Sequence, residues 1–176
     1  MLVGFSLGGN NVMRYLGDLH DKHKVNDKVI GALVSCPIYD PEATTKELAK
    51  NQTYDKAMTE GVQELVQNNL HHFTRFEQSH ENDKMFKVSD ILACKSLVEF
   101  ESIFFKRIHK MEDVQEEYFA HRQVDAEVLE NIKVPLLILH ATDDAVIPKE
   151  HFELPRNAVR ANDSIIYLQT NHGGHC

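Results

Sequence analysis

Cysteine is scarce in this chain of 176 residues: Cys36, Cys94 and Cys176 are all there is. An odd, widely spaced set without a C-x-x-C step excludes a disulfide framework and points to a reducing compartment. Basic charge is in deficit too. Lys+Arg number 19 against 27 Asp+Glu, which gives a formal net charge of −8. A nucleic-acid footprint needs clustered positive charge, so that class of partner is excluded. Long apolar runs are also missing. The longest, near 29–36 and 134–139, fall far short of the ~20 residues of a membrane-spanning helix. Behind Met1 there is neither a basic segment nor an extended apolar one, so no signal peptide is expected. The chain is therefore expected in the cytoplasm or peripheral to an intracellular membrane. What is present, 42% apolar and 26% charged residues, is the profile of a soluble globular chain about one domain long.

The apolar opening 1–5 reads as the end of a buried strand. Val12, Leu16 and Leu19 then follow at helical spacing until Asn26-Asp27. Val29–Cys36 is a continuous apolar run stopped by Pro37, as in a strand covered on both faces. Strand, helix, strand is a βαβ unit and implies parallel pairing. From Asp40 to about His109 the chain reads as mostly helical, with one apolar stripe through Val62, Leu65, Val66, Leu70 and Phe73. Ser79–Lys84 is a polar break, and a second stripe runs through Ile91, Val98, Phe104, Phe105 and Ile108. Both stripes read as core. Val134–His140 is a third strand and Glu150–Ala161 a short helix. Ser164–Gln169 is a fourth strand, followed by a Gly/His loop.

The chemistry concentrates at three of these strand ends. Gly4-Phe5-Ser6-Leu7-Gly8 fits G-x-S-x-G, the turn that lifts a serine off a strand and into a helix. Small residues two before and two after would let the chain pack around the strained serine. The backbone N–H of Leu7 would face a developing oxyanion. A serine hydroxyl needs an oriented base. Asp143 and Asp144 follow the third strand, and His172 and His175 follow the fourth, in the order acid then histidine. Strand carboxyl ends are where ligands bind in open α/β sheets. Asp144, in the frame D-x-x-x-P with Pro148, is preferred as the acid, with Asp143 as the fallback or a brace for the turn. His175 is preferred as the base because Gly173-Gly174 gives its loop freedom. His172 is expected to line the pocket or lie exposed. A metal site built from His140, Asp143, Asp144, His172 and His175 lacks any H-E-x-x-H-like spacing, so no metal is expected. His20, His23, His71, His72, His80, His109 and His121 read as surface residues.

The string VGFSLGGNNVMRYLGD resembles the elbow and following helix of the type-4 α/β-hydrolase family. That group includes YheT-like hydrolases, medium-chain ester synthases and esterases, and α/β-hydrolase-domain phospholipases. The likeness continues through Ser96–Phe104 (the family's lid segment), Glu117-Tyr118-Phe119, Ile132–Pro148 and Thr170–His175. It implies an α/β fold in which this chain supplies parallel strands 5–8 of an α/β-hydrolase sheet, with a helical lid insertion at approximately 40–130. It also implies Ser6 as nucleophile, Asp144 as acid and His175 as base. The implied activity is that of a serine carboxylic-ester hydrolase, an esterase or lipase of acylglycerols, phospholipids or medium-chain esters. No cofactor is implied, and the partner is a small-molecule ester or lipid substrate. The family's earlier strands, its second oxyanion donor and its last helix have no counterpart in the sequence. Two other outcomes are therefore expected to compete: an inactive fragment, or a shortened paralogue that acts as an interaction module through its exposed edge strand.

Overall fold

The computed structural model describes residues 1–17, 25–79, 87–108, 111 and 118–176. Among these, four strands form one sheet in the order β1-β2-β3-β4, with every pairing parallel. The strands are β1 (Leu2–Phe5), β2 (Ala32–Ser35), β3 (Leu136–Ala141) and β4 (Ile165–Thr170). The register sets Gly4 opposite Val34, Val34 opposite Ile138, and Ile138 opposite Tyr167. Each strand begins later or ends sooner than its apolar run. Val29 and Ile30, for example, precede β2, and Ile30 is exposed, so the run overstates both pairing and burial.

The chain divides into two compact units, 1–44 with 122–176 and 45–121. The first holds the sheet. Helix α1 (Leu7–Gly17) buries Met13 and Leu16 against Val34, Leu136 and Ile138. Val12 is partly buried beside them, and Leu19 lies outside the described residues. Residues 40–44 and 122–130 group with this sheet unit.

The second unit is helical. It contains α2 (Pro41–Leu48) from residue 45 onward, α3 (Gln52–Asn68), α4 (Leu70–Ser79), α5 (Val88–Ala93) and α6 (Leu97–Ile108). Its core joins Val66, Val88 and Ile91 to Leu70, Phe73, Phe76, Phe100, Ile103 and Phe104. Val66, Leu70 and Phe73 of the first stripe thus meet Ile91 and Phe104 of the second. Leu65 and Val98 are exposed, Phe105 packs on Tyr118 and Phe119 instead, and the Ile108 side chain lies outside what is described. Asn69 ends α3 and its side chain donates back to the Leu65 carbonyl, so α4 starts on a new phase. Most of the polar break 79–84 lies outside the described residues.

Back in the sheet unit, helix α7 (Ala126–Asn131) had no clear apolar stripe to reveal it. Asp125 caps it by accepting from the Val128 N–H at 3.0 Å, and it buries Leu129 beside Ile132 in the sheet core. After β3, a 3₁₀ turn at Lys149–Phe152 leads into α8 (Glu153–Ala161). Among the described residues no helix is long and apolar enough to cross a membrane.

Candidate active site

The path from β1 into α1 turns within one residue. Ser6 takes a left-handed φ of 50°, which a side chain adopts only under strain. Its backbone is fully engaged. The N–H donates to the Ser35 carbonyl at 3.0 Å, continuing the β1–β2 ladder, and its own carbonyl accepts from Gly9 and Asn10. The crowding that forces small residues here differs from the expectation. A Cβ on Gly4 would sit 2.4 Å from the Gly8 carbonyl oxygen, so position 4 must be glycine. A Cβ on Gly8 would meet nothing within 4 Å. The second close approach belongs to Gly9, whose added Cβ would lie 2.8 Å from Pro37. Leu7 opens α1, so its N–H is one of the helix-start donors left without an intrahelical acceptor.

The structure brings Ser6, His175 and Asp144 together. His175 Nε2 lies 2.9 Å from Ser6 Oγ, and its Nδ1 lies 2.9 Å from Asp144 Oδ2 and 3.1 Å from Oδ1. Asp144 sits in the turn after β3 with its side chain fully buried. Its Oδ1 also accepts from the N–H groups of Val146 at 2.8 Å and Ile147 at 3.1 Å. Burial by itself pushes such a carboxyl up. The hydrogen bonds from His175, Val146 and Ile147 outweigh it and hold Asp144 below the usual carboxylate range. The buried group is thus an ionised acceptor that fixes the imidazole's tautomer.

Asp143 bonds the loop backbone instead. Its carboxylate accepts from Gly174 N–H at 2.8 Å and Gly173 N–H at 3.4 Å, which holds it below its ordinary value. It braces the loop that carries His175. His172 is 92% exposed, 3.5 Å from Asp143. His71, His72 and His121 are exposed, while His20, His23, His80 and His109 lie outside the described residues.

Close to Asp144 and His175 lies a buried pair; the sequence offered His140 only as a metal-ligand candidate and gave no sign of Tyr39. His140, fully buried on β3, bonds Tyr39 Oη through Nε2 at 3.1 Å and packs on Phe152. Burial lowers its pKa to about 4, so it is neutral at physiological pH. Two groups bring metal-ligand types within 4.8 Å of one another: Cys36, His140 and Asp144, and Cys36, His175 and Cys176. Most of these oxygens and nitrogens are already engaged: Asp144 accepts three hydrogen bonds, and the His175 nitrogens meet Ser6 Oγ and the Asp144 carboxylate, while His140 Nδ1 has no hydrogen-bond partner among the described residues.

A parallel sheet with a strained strand-to-helix serine is the arrangement of the α/β-hydrolase fold, and a solved structure shares that fold. The crystal structure of a puromycin hydrolase mutant complexed with PGG matches 99% of this chain and 18% of its own, at 16% identity and a TM-score of 0.50. The chain belongs to the family described as "Protein of unknown function (DUF1749)", whose model matches residues 1–157 and so includes Ser6 and Asp144. Among curated relatives, the "Abhydrolase domain-containing protein 2" of Drosophila melanogaster is 28% identical over 98% of this chain and 43% of its own length. The human "Monoacylglycerol lipase ABHD2" is 21% identical over 99% of this chain and 41% of its own. The chain thus spans about two fifths of the length of these relatives.

Proposed function

We propose that this chain carries the catalytic triad of a serine hydrolase of the type-4 α/β-hydrolase group that cleaves carboxylic esters of lipids, with acylglycerols as the substrate class. The observation that carries this reading is the unbroken series Ser6 Oγ, His175, Asp144, each link 2.9 Å, anchored on a serine at φ 50°. The curated relatives called monoacylglycerol lipase supply the substrate class.

In the first step Ser6 Oγ attacks the ester carbonyl while His175 Nε2 takes its proton. Asp144 stabilises the imidazolium that forms. The Leu7 N–H donates to the tetrahedral oxyanion, strengthened by the positive end of α1. His175 then returns the proton to the departing alcohol. Water, activated by the same imidazole, releases the acid from Ser6.

The test is covalent labelling with a fluorophosphonate, which reports an activated serine without assuming a substrate. Label on Ser6 that disappears in Ser6→Ala is the expected result. Equal labelling of the mutant, or none of the wild type, would overturn the assignment. Release of fatty acid from monoacylglycerols, compared with phospholipids, then tests the substrate class.

A further inference from the structure

Two thiols meet beside the histidine. Cys36 follows β2 directly, and Cys176 follows His175. Their Sγ atoms and a ring nitrogen of His175 all lie within 4.8 Å of one another. The contacts are reciprocal. The Cys36 thiol donates towards the Gly174 carbonyl at 3.7 Å, and the Cys176 thiol donates to the Ser35 carbonyl at 3.4 Å. Each sulfur thus touches backbone within two residues of the other. Both cysteines have left-handed φ values, 45° and 48°. They differ in freedom. Cys36 is buried and tied to the sheet by its N–H, 2.8 Å from the Leu139 carbonyl, whereas Cys176 is exposed.

We propose that Cys36 and Cys176 are an oxidation-sensitive pair whose disulfide draws His175 away from Ser6, so that peroxide switches the site off. The switching rests on the triad reading; formation of the disulfide does not. In the first step the accessible Cys176 sulfur, as thiolate, attacks the O–O bond of hydrogen peroxide. It becomes a sulfenic acid, and the departing hydroxide takes up the proton that the thiol had given to solvent and leaves as water. In the second, the Cys36 sulfur gives up its proton, attacks the Cys176 sulfur, and a second water departs as the S–S bond forms. Two thiols lose two electrons, and the peroxide gains them.

A disulfide holds its sulfurs at about 2 Å. The tethered Cys36 stays, so Cys176 moves, and the adjacent His175 moves with it. Displacing a catalytic group by about 1 Å can cost ~10²-fold in rate. Cys94 is the internal control. It lies in the other compact unit, buried, with its thiol on the Asp90 carbonyl.

The test treats the whole chain with hydrogen peroxide and follows two readouts. Intact mass and non-reducing peptide mapping are expected to show the loss of two hydrogens and a Cys36–Cys176 link, with Cys94 free. The rate of fluorophosphonate labelling at Ser6 is expected to fall by roughly 10²-fold and to recover with a thiol reductant. Cys176→Ala and Cys36→Ser are expected to label like the untreated chain and to resist peroxide. A link involving Cys94, or irreversible overoxidation of Cys176 without a link, overturns the pair. A Cys36–Cys176 link with undiminished labelling overturns the switch. If the reduced chain is never labelled, the triad reading fails, while the mapping still decides the disulfide.

Discussion

At the residue scale, two neighbouring aspartates divide two tasks. Asp144 is buried and holds the imidazole; Asp143 is exposed and holds the backbone of the same loop. Sequence order and the D-x-x-x-P frame pointed to Asp144. The bracing contact from Asp143 to Gly173 and Gly174 depends on how the loop folds back, and no spacing reveals that. The division predicts unequal mutants. Under the proposed mechanism, Asp144→Asn keeps the shape but offers an N–H where the imidazole N–H needs an acceptor, so turnover is expected to fall by ~10⁴-fold. Asp143→Ala leaves the hydrogen bonds joining Ser6, His175 and Asp144 in place and only loosens the loop. Its loss is expected to stay within the ~10²-fold of a small displacement. Steady-state kcat for both variants on one ester distinguishes them, and equal losses would refute the division.

At the element scale, the elbow shows what a motif can and cannot encode. G-x-S-x-G located the turn, and the helix and strand around it follow from apolar patterning. The pattern does not say which glycine the geometry needs. Gly4 and Gly9 are held by close backbone and proline contacts, while Gly8 faces open space. Gly4→Ala is expected to destabilise the chain by about 1–3 kcal/mol or more, since backbone must shift to admit the methyl. Gly8→Ala is expected to be neutral or stabilising by up to ~1 kcal/mol, because alanine is the better helix residue. Urea denaturation midpoints test the pair, and a stable Gly4→Ala variant would show that the turn can relax. The two central strands were legible because they bury one face fully and the other in part, and so read as unbroken apolar runs. Helix α7 was not. Its six residues carry little periodicity, and only its Asp125 cap and the burial of Leu129 distinguish it from loop.

Across the whole molecule, two titratable groups, His140 buried and Glu101 half-buried, pull stability in opposite directions with pH. His140, in the sheet unit, has its pKa lowered by burial to about 4 from an ordinary value near 6.5. The unfolded chain binds the extra proton between those values. Its stabilising contribution is therefore complete above about pH 6.5 and lost as pH falls to about 4, on the order of 3 kcal/mol in full. Glu101, in the helical unit, is pushed up by burial to about 7 from 4.5, against a hydrogen bond from Thr45 that opposes the shift. Here the folded chain binds the extra proton. Its contribution is complete below about pH 4.5 and lost as pH rises through about 7. Between pH 4.5 and 6.5 the two slopes oppose each other, and single variants separate them. Glu101→Gln removes the falling slope, so its Tm is expected to climb with pH from 4 to 6.5 more steeply than that of the parent. It is also expected to exceed the parent at pH 8, where the parent must keep a half-buried carboxylate ionised. His140→Gln removes the rising slope, so its Tm is expected to decline from pH 4.5 to 7. Thermal melts across pH 4–8 followed by circular dichroism decide the matter: curves that run parallel to the parent would show that neither group is buried as the structure has it.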